Sequence, residues 1–130
     1  MVQFTSSQRQ MLEGLLRQKI AQLRQQIAVE LRSSGDTDGI GLANHIQEVD
    51  DQAVADLETA LDIAGLERHF RDLRASIEAL ARLDTPEFGV CPDCSGAIAL
   101  SRLEADPSVR RCVTCQSHTE SLRGGKSASL

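Results

Sequence analysis

The sequence predicts a mainly α protein, an antiparallel coiled-coil hairpin joined to a small module clamped by four cysteines, with a short C-terminal helix. Three observations predict it. Apolar residues recur at steps of three and four through two long stretches rich in Leu, Gln, Arg and Glu, a mixture that suits helices. The chain has three Phe and no Tyr or Trp, too few large side chains for a broad globular core. All four cysteines fall in two Cys-x-x-Cys pairs in the C-terminal part.

The first helix is expected from Ser6 or Ser7, either of which can cap it, after a loose start over residues 1–5. Leu12, Leu15, Leu16, Ile20, Leu23, Ile27 and Leu31 draw one apolar stripe on an otherwise polar cylinder. The helix should stop near Arg32, because Ser33-Ser34-Gly35-Asp36 is turn chemistry. Residues 33–45, with Gly35, Gly39 and Gly41, read as a flexible acidic connection. A second helix is expected from about Asn44–Ile46 to Leu83, on Leu57, Leu61, Leu66, Phe70, Leu73, Ile77 and Leu80, with a shift of phase near Gly65. It would be about 57 Å long at 1.5 Å per residue, and only the first helix could cover it. The hairpin therefore occupies residues 6–83 with its tip around 33–53. The cysteine module with its helix follows at 84–123, and 124–130 read as a disordered tail.

Cys91-Pro92-Asp93-Cys94 and Cys112-Val113-Thr114-Cys115 are separated by seventeen residues. Each pair offers two thiolates on a tight knuckle, and the segment between can fold back to join them around a tetrahedral zinc ion. Two disulfides are disfavoured because no secretory signal precedes them. A redox dithiol would need one pair beside a βαβ pattern, which is not present. Four thiolates close the coordination and leave no place for a substrate water, so one structural zinc ion is expected at Cys91, Cys94, Cys112 and Cys115. Gly89 and Gly96 suit the backbone around the first knuckle, and Ile98, Leu100, Leu103 and Val109 can form a miniature core beside the metal.

The net charge of −5 gives no general attraction to nucleic-acid phosphates. No apolar run reaches the length of a bilayer span, so a cytoplasmic protein is expected. Catalysis is not expected: there is no Gly-rich phosphate loop, and His45, His69 and His118 stand apart in sequence. Two rival readings remain. Arg102, Arg110, Arg111 and Arg123 give the cysteine module a basic bias that a zinc-ribbon nucleic-acid binder would use. A coiled-coil adaptor stapled by zinc is the other.

The segments Glu87-Phe88-Gly89-Val90-Cys91-Pro92-Asp93-Cys94, Ser101-Arg102-Leu103-Glu104-Ala105-Asp106-Pro107 and Cys112-Val113-Thr114-Cys115 carry a resemblance. Together they resemble the DksA/TraR family of bacterial transcription factors, which has a similar Phe-Gly before the first cysteine, an Arg-Leu-x-Ala-x-Pro run and the same separation of the pairs. The family usually has Gly directly after the second cysteine, where this chain has Ser95 and then Gly96. Counting back from Cys91, the family's acidic tip motif, Asp-x-x-Asp-x-Ala, falls on Glu48-Val49-Asp50-Asp51-Gln52-Ala53. The resemblance implies a monomer that binds RNA polymerase directly and reads no DNA sequence. It implies that the hairpin enters the secondary channel and that Glu48, Asp51 and Ala53 form the effector tip. Some longer members act with guanosine tetraphosphate held between factor and polymerase. Of the positions involved, an Arg matches at Arg68, while two Lys positions fall on Ala75 and Gln116. The implied phosphate clamp is thus reduced, and strong synergy with the nucleotide is not expected.

Overall fold

The computed structural model describes residues 4–33, 37–57 and 65–128. Leu61, residues 34–36, the Arg123 side chain and residues 129–130, all of which enter the sequence reading, lie outside that description. The fold is mainly α, as expected, and among the described residues the only β pairing is an isolated antiparallel bridge between Val90 and Ala97.

Helix α1 (Ser6–Ser33) is the axis of the molecule, about 42 Å long at 1.5 Å per residue. Its start is a reciprocal capping box. Thr5 N–H donates to Gln8 Oε1 at 2.9 Å and Gln8 N–H donates to Thr5 Oγ1 at 3.0 Å. The cap is therefore Thr5 and not Ser6 or Ser7. Residues 4 and 5 are not loose, because Phe4 also meets Phe88 edge-on, with ring centroids 5.8 Å apart. The predicted stripe is the buried face: Leu12, Leu16, Ile20, Leu23, Ile27 and Leu31 are all buried.

Among the described residues the expected continuous second helix is replaced by three helices. Helix α2 (Thr37–Glu48) occupies much of the stretch read as a flexible connection. Its internal glycines, Gly39 and Gly41, each cost about 1 kcal/mol relative to Ala. Burial offsets that cost, since Ala43 and Ile46 are wholly buried and α2 packs along α1. Helix α3 (Asp51–Asp56) is separated from α2 because Asp50 is extended, at φ −72° and ψ 170°, and its carboxylate accepts the Ala53 N–H at 2.8 Å. Helix α4 (Glu67–Arg82) begins after Gly65, whose φ of +94° is one that side-chain-bearing residues rarely adopt. The phase shift predicted at Gly65 is thus a break in the helix. At sixteen residues, α4 is about 24 Å long.

Helices α1 and α4 form an antiparallel hairpin. His69 and Glu30 meet at 3.1 Å at one end, and Arg9 Nη1 donates to the Leu83 carbonyl at the other. Two cores lie along α1. The distal one packs Ile20, Leu23, Ile27 and Leu31 against Ala43, Ile46, Val54, Leu66, Phe70 and Leu73. The basal one packs Leu12 and Leu16 against Ala79, Leu83, Phe88, Cys91, Ile98 and Leu103. Between the cysteine pairs Leu100–Ala105 form a short helix, α5. Helix α6 (Val113–Ala128) starts at the second pair and continues through Gly124 and Gly125 to Ala128, into the stretch 124–130 that was read as a disordered tail.

Candidate metal centre and effector segment

The first knuckle is shaped by backbone. Cys91 N–H donates to the Gly96 carbonyl, Ser95 N–H to the Cys91 carbonyl and Ile98 N–H to the Gly89 carbonyl, each at 2.8 Å. Gly89 supplies a φ of +81°, and Ser95 is held at +61° without the freedom of glycine. Gly96 N–H then points at Cys94 Sγ, 3.4 Å away. The second knuckle is a helix start. Cys112 precedes α6, and its sulfur accepts the Cys115 N–H at 3.4 Å, as an oxygen would at an ordinary helix cap.

These two knuckles bring the four sulfurs within 4.8 Å of one another. Cys94 Sγ and Cys112 Sγ are 3.8 Å apart. Zn–S bonds of about 2.3 Å in a regular tetrahedron require sulfurs roughly 3.8 Å apart, so the thiol set fits the metal. Cys91, Cys94, Cys112 and Cys115 form a four-cysteine site for one structural zinc ion. His118, exposed on α6, does not belong to that cluster.

Without metal the thiols are not equivalent. Burial opposes ionisation of Cys91, but the backbone N–H groups of Cys112, Cys94 and Asp93 outweigh it and lower its pKa to about 6. The neighbouring sulfurs of Cys112 and Cys94 push the Cys115 pKa up. Zinc binding reverses that mutual penalty, because every sulfur then shares its charge with the cation.

Polar ties aim the finger. Arg111 Nε donates to Asp93 Oδ2 at 2.7 Å, joining the two knuckles, and Arg102 Nε donates to the Arg111 carbonyl at 3.1 Å. Lys19 on α1 meets Asp106 Oδ1 at 2.6 Å and Ser108 Oγ at 3.1 Å. Burial alone would raise the Asp106 pKa, but Lys19 and Ser108 hold its carboxyl below the usual range. Ile98 and Leu103 are buried beside the metal site, with Leu100 and Val109 partly buried against the same core.

The acidic segment lies against the middle of α1. Asp51 Oδ1 accepts from Arg24 Nη1 at 2.6 Å. Arg24 Nη2 also donates to the Ile46 and Val49 carbonyls and so closes the C-terminal end of α2. Glu48 is the exposed last residue of α2. Ala53 supplies the N–H that Asp50 caps, and its side chain is half-buried. Asp50 and Arg24 were not singled out from sequence. The Asp50 cap was legible as Asp before a helical run, whereas the Arg24 contacts join residues far apart in the chain. Arg68 is exposed at the start of α4, on the same helix as Ala75, while Gln116 lies on α6.

Comparison with known proteins bears on this arrangement. Residues 86–120 match the family described as the prokaryotic dksA/traR C4-type zinc finger. The finger is thus similar to those of the DksA/TraR family. The chain is 38% identical over 71 residues to the RNA polymerase-binding transcription factor DksA of Haemophilus influenzae, covering 54% of this chain and 48% of that protein. It is 27% identical over 70 residues to the protein of the same name from Escherichia coli K12, covering 54% and 46%. The match thus spans about half the length of these curated relatives. No solved structure matches. In this finger, the place after the second cysteine is taken by Ser95 in the left-handed backbone region. That is the conformation in which glycine is least strained. Among the described residues no helix is long and apolar enough to cross a membrane.

Proposed function

We propose that this chain regulates transcription by binding RNA polymerase directly, with its helical hairpin entering the secondary channel. The observation that carries the reading is the joining of a DksA/TraR-type finger to the base of an antiparallel α1/α4 hairpin. The finger forms the base, and beyond it α2 and α3 pack on the α1/α4 hairpin. Glu48, Asp51 and Ala53 are the effector residues in this reading. Asp51 keeps 40% of its side chain exposed although Arg24 holds it, so one carboxylate oxygen is available to basic groups or backbone donors of the channel.

The protein acts by binding and not by catalysis, as a monomer, in the cytoplasm where thiols stay reduced. It reads no DNA sequence. Arg102 and Arg111, two of the arginines that favoured a nucleic-acid ribbon, are committed to contacts within the finger. Guanosine tetraphosphate adds little, because Arg68 is the one clamp position retained.

The test is the lifetime of polymerase open complexes at a ribosomal RNA promoter, with no factor, with the protein and with Asp51→Asn. A shorter lifetime that the variant loses while still binding polymerase is the expected result. Binding without any change of lifetime would leave a channel occupant without an effector tip. Absence of binding would overturn the reading.

A further inference from the structure

Between the last turn of α4 and the first knuckle lies a cavity of about 470 Å³. Its volume falls within the roughly 300–1,000 Å³ usual for small-molecule sites. Val90, Ile98 and Val109 give it an apolar lining. Two guanidinium groups line it as well, Arg82 from α4 and Arg110 from the finger. Burial first, and then the charge of Arg110, lower the Arg82 pKa, while Glu78 and Glu87 act in the opposite sense. Among the described residues neither has a carboxylate at ion-pair distance. The neighbouring Arg111 and Arg102 are both engaged, so Arg110 stands apart from the internal bracing of the finger. One acid, the exposed Glu87, also lines the cavity, as does the zinc ligand Cys91.

Two guanidiniums of like charge repel each other, and an anion held between them would turn that repulsion into attraction on both sides. A phosphate offers several oxygens at once and suits two planar donor groups better than a single-point anion would. We propose that this cavity binds a small phosphate monoester with an apolar body, Arg82 and Arg110 holding the phosphate while Val90, Ile98 and Val109 cover the rest. Such a ligand ties α4 to the finger and stiffens the joint that sets the direction of the hairpin. The inference stands apart from the polymerase reading and survives its failure.

The experiment is a titration of the zinc-loaded full chain, followed by amide chemical shifts. The probe is phenyl phosphate, with benzyl alcohol and inorganic phosphate as comparators. Saturable shifts centred on Val90, Ile98 and Val109 are expected with phenyl phosphate. Benzyl alcohol, which lacks the charge-assisted hydrogen bonds, and inorganic phosphate, which leaves the apolar lining uncovered, should each bind about tenfold more weakly or worse. Arg82→Gln and the more exposed Arg110→Gln should each weaken phenyl phosphate by about the same factor, with zinc content unchanged. Glu87→Gln should tighten it. Equal binding of benzyl alcohol, equal binding by both Arg variants, or no saturable shift with phenyl phosphate would each overturn the proposal.

Discussion

The two ends of α1 are held by different means. At the base, Leu12 and Leu16 meet a core that includes the ligand Cys91, and polar ties at Arg9, Lys19 and Thr5 fix the position of the helix. At the distal end there are polar ties too, at Arg24, Arg32 and the His69–Glu30 pair, but no metal cluster among the described residues; there Phe70, Leu73, Ala43 and Ile46 close over Ile20–Leu31. A metal vertex depends on four particular atoms and fails as a unit when one is lost. A packed core depends on summed volume and tolerates exchange among apolar side chains. The base should therefore be brittle and specific, and the distal end graded and permissive.

Loss of one zinc ligand is the largest effect expected. Structural zinc contributes about 10–16 kcal/mol in finger peptides, and three thiolates retain only part of that. Cys94→Ser should release zinc and abolish amide-exchange protection across residues 88–115. The amides of Phe70 and Leu73, in the distal core, should stay protected. Zinc stoichiometry and hydrogen exchange on the same sample check this. A variant that keeps zinc and a protected finger would break the comparison at its base.

Phe70→Ala is the converse. Phe70 is 2% exposed at the centre of the distal core, and truncation of such a residue costs about 3–5 kcal/mol. Denaturant titration should show that loss, with α2 and α3 exchanging first and zinc content intact. If zinc were lost along with the distal packing, the two cores would be one cooperative unit, and the distinction drawn here would not hold.

The contrast also explains what was legible in the sequence. The metal centre was legible because ligand identity and spacing are local, and the four thiols admit one template. The buried face of α1 was legible because its period persists from Leu12 to Leu31. The middle of the chain was not. Its helix breaks depend on Asp50 turning its carboxylate back to Ala53 and on Gly65 taking a positive φ. Both residues fit a continuous helix if read by apolar period alone. Helix α2 was read as loop because Gly39 and Gly41 lower helix propensity, whereas Ile46 and Ala43 recover it only by burial against α1. The Arg24 contacts to Ile46, Val49 and Asp51 likewise arise from tertiary placement. The cap at Thr5 is different: Thr5 and Gln8 have the capping-box spacing, and that signal was local and overlooked.

The smallest predicted effect tests whether the base is as exacting as its geometry implies. Ser95 holds a φ of +61° beside a zinc ligand. Its backbone N–H is bonded to Cys91, and its hydroxyl makes no side-chain hydrogen bond among the described residues. A left-handed conformation costs a residue with a Cβ about 1–2 kcal/mol, and the added freedom of glycine in the unfolded chain takes back part of any gain. Ser95→Gly should therefore stabilise the knuckle by about 0.5–1 kcal/mol, seen as a several-fold slower transfer of zinc to a chelator. Gly96→Ala should act in the opposite sense, because its Cβ would sit 3.3 Å from Cys94 Sγ. Neither change should alter amide protection at Phe70. If Ser95→Gly released zinc faster, the Ser95 side chain would be contributing to the knuckle, and the strain argued from its backbone would not be what limits the site.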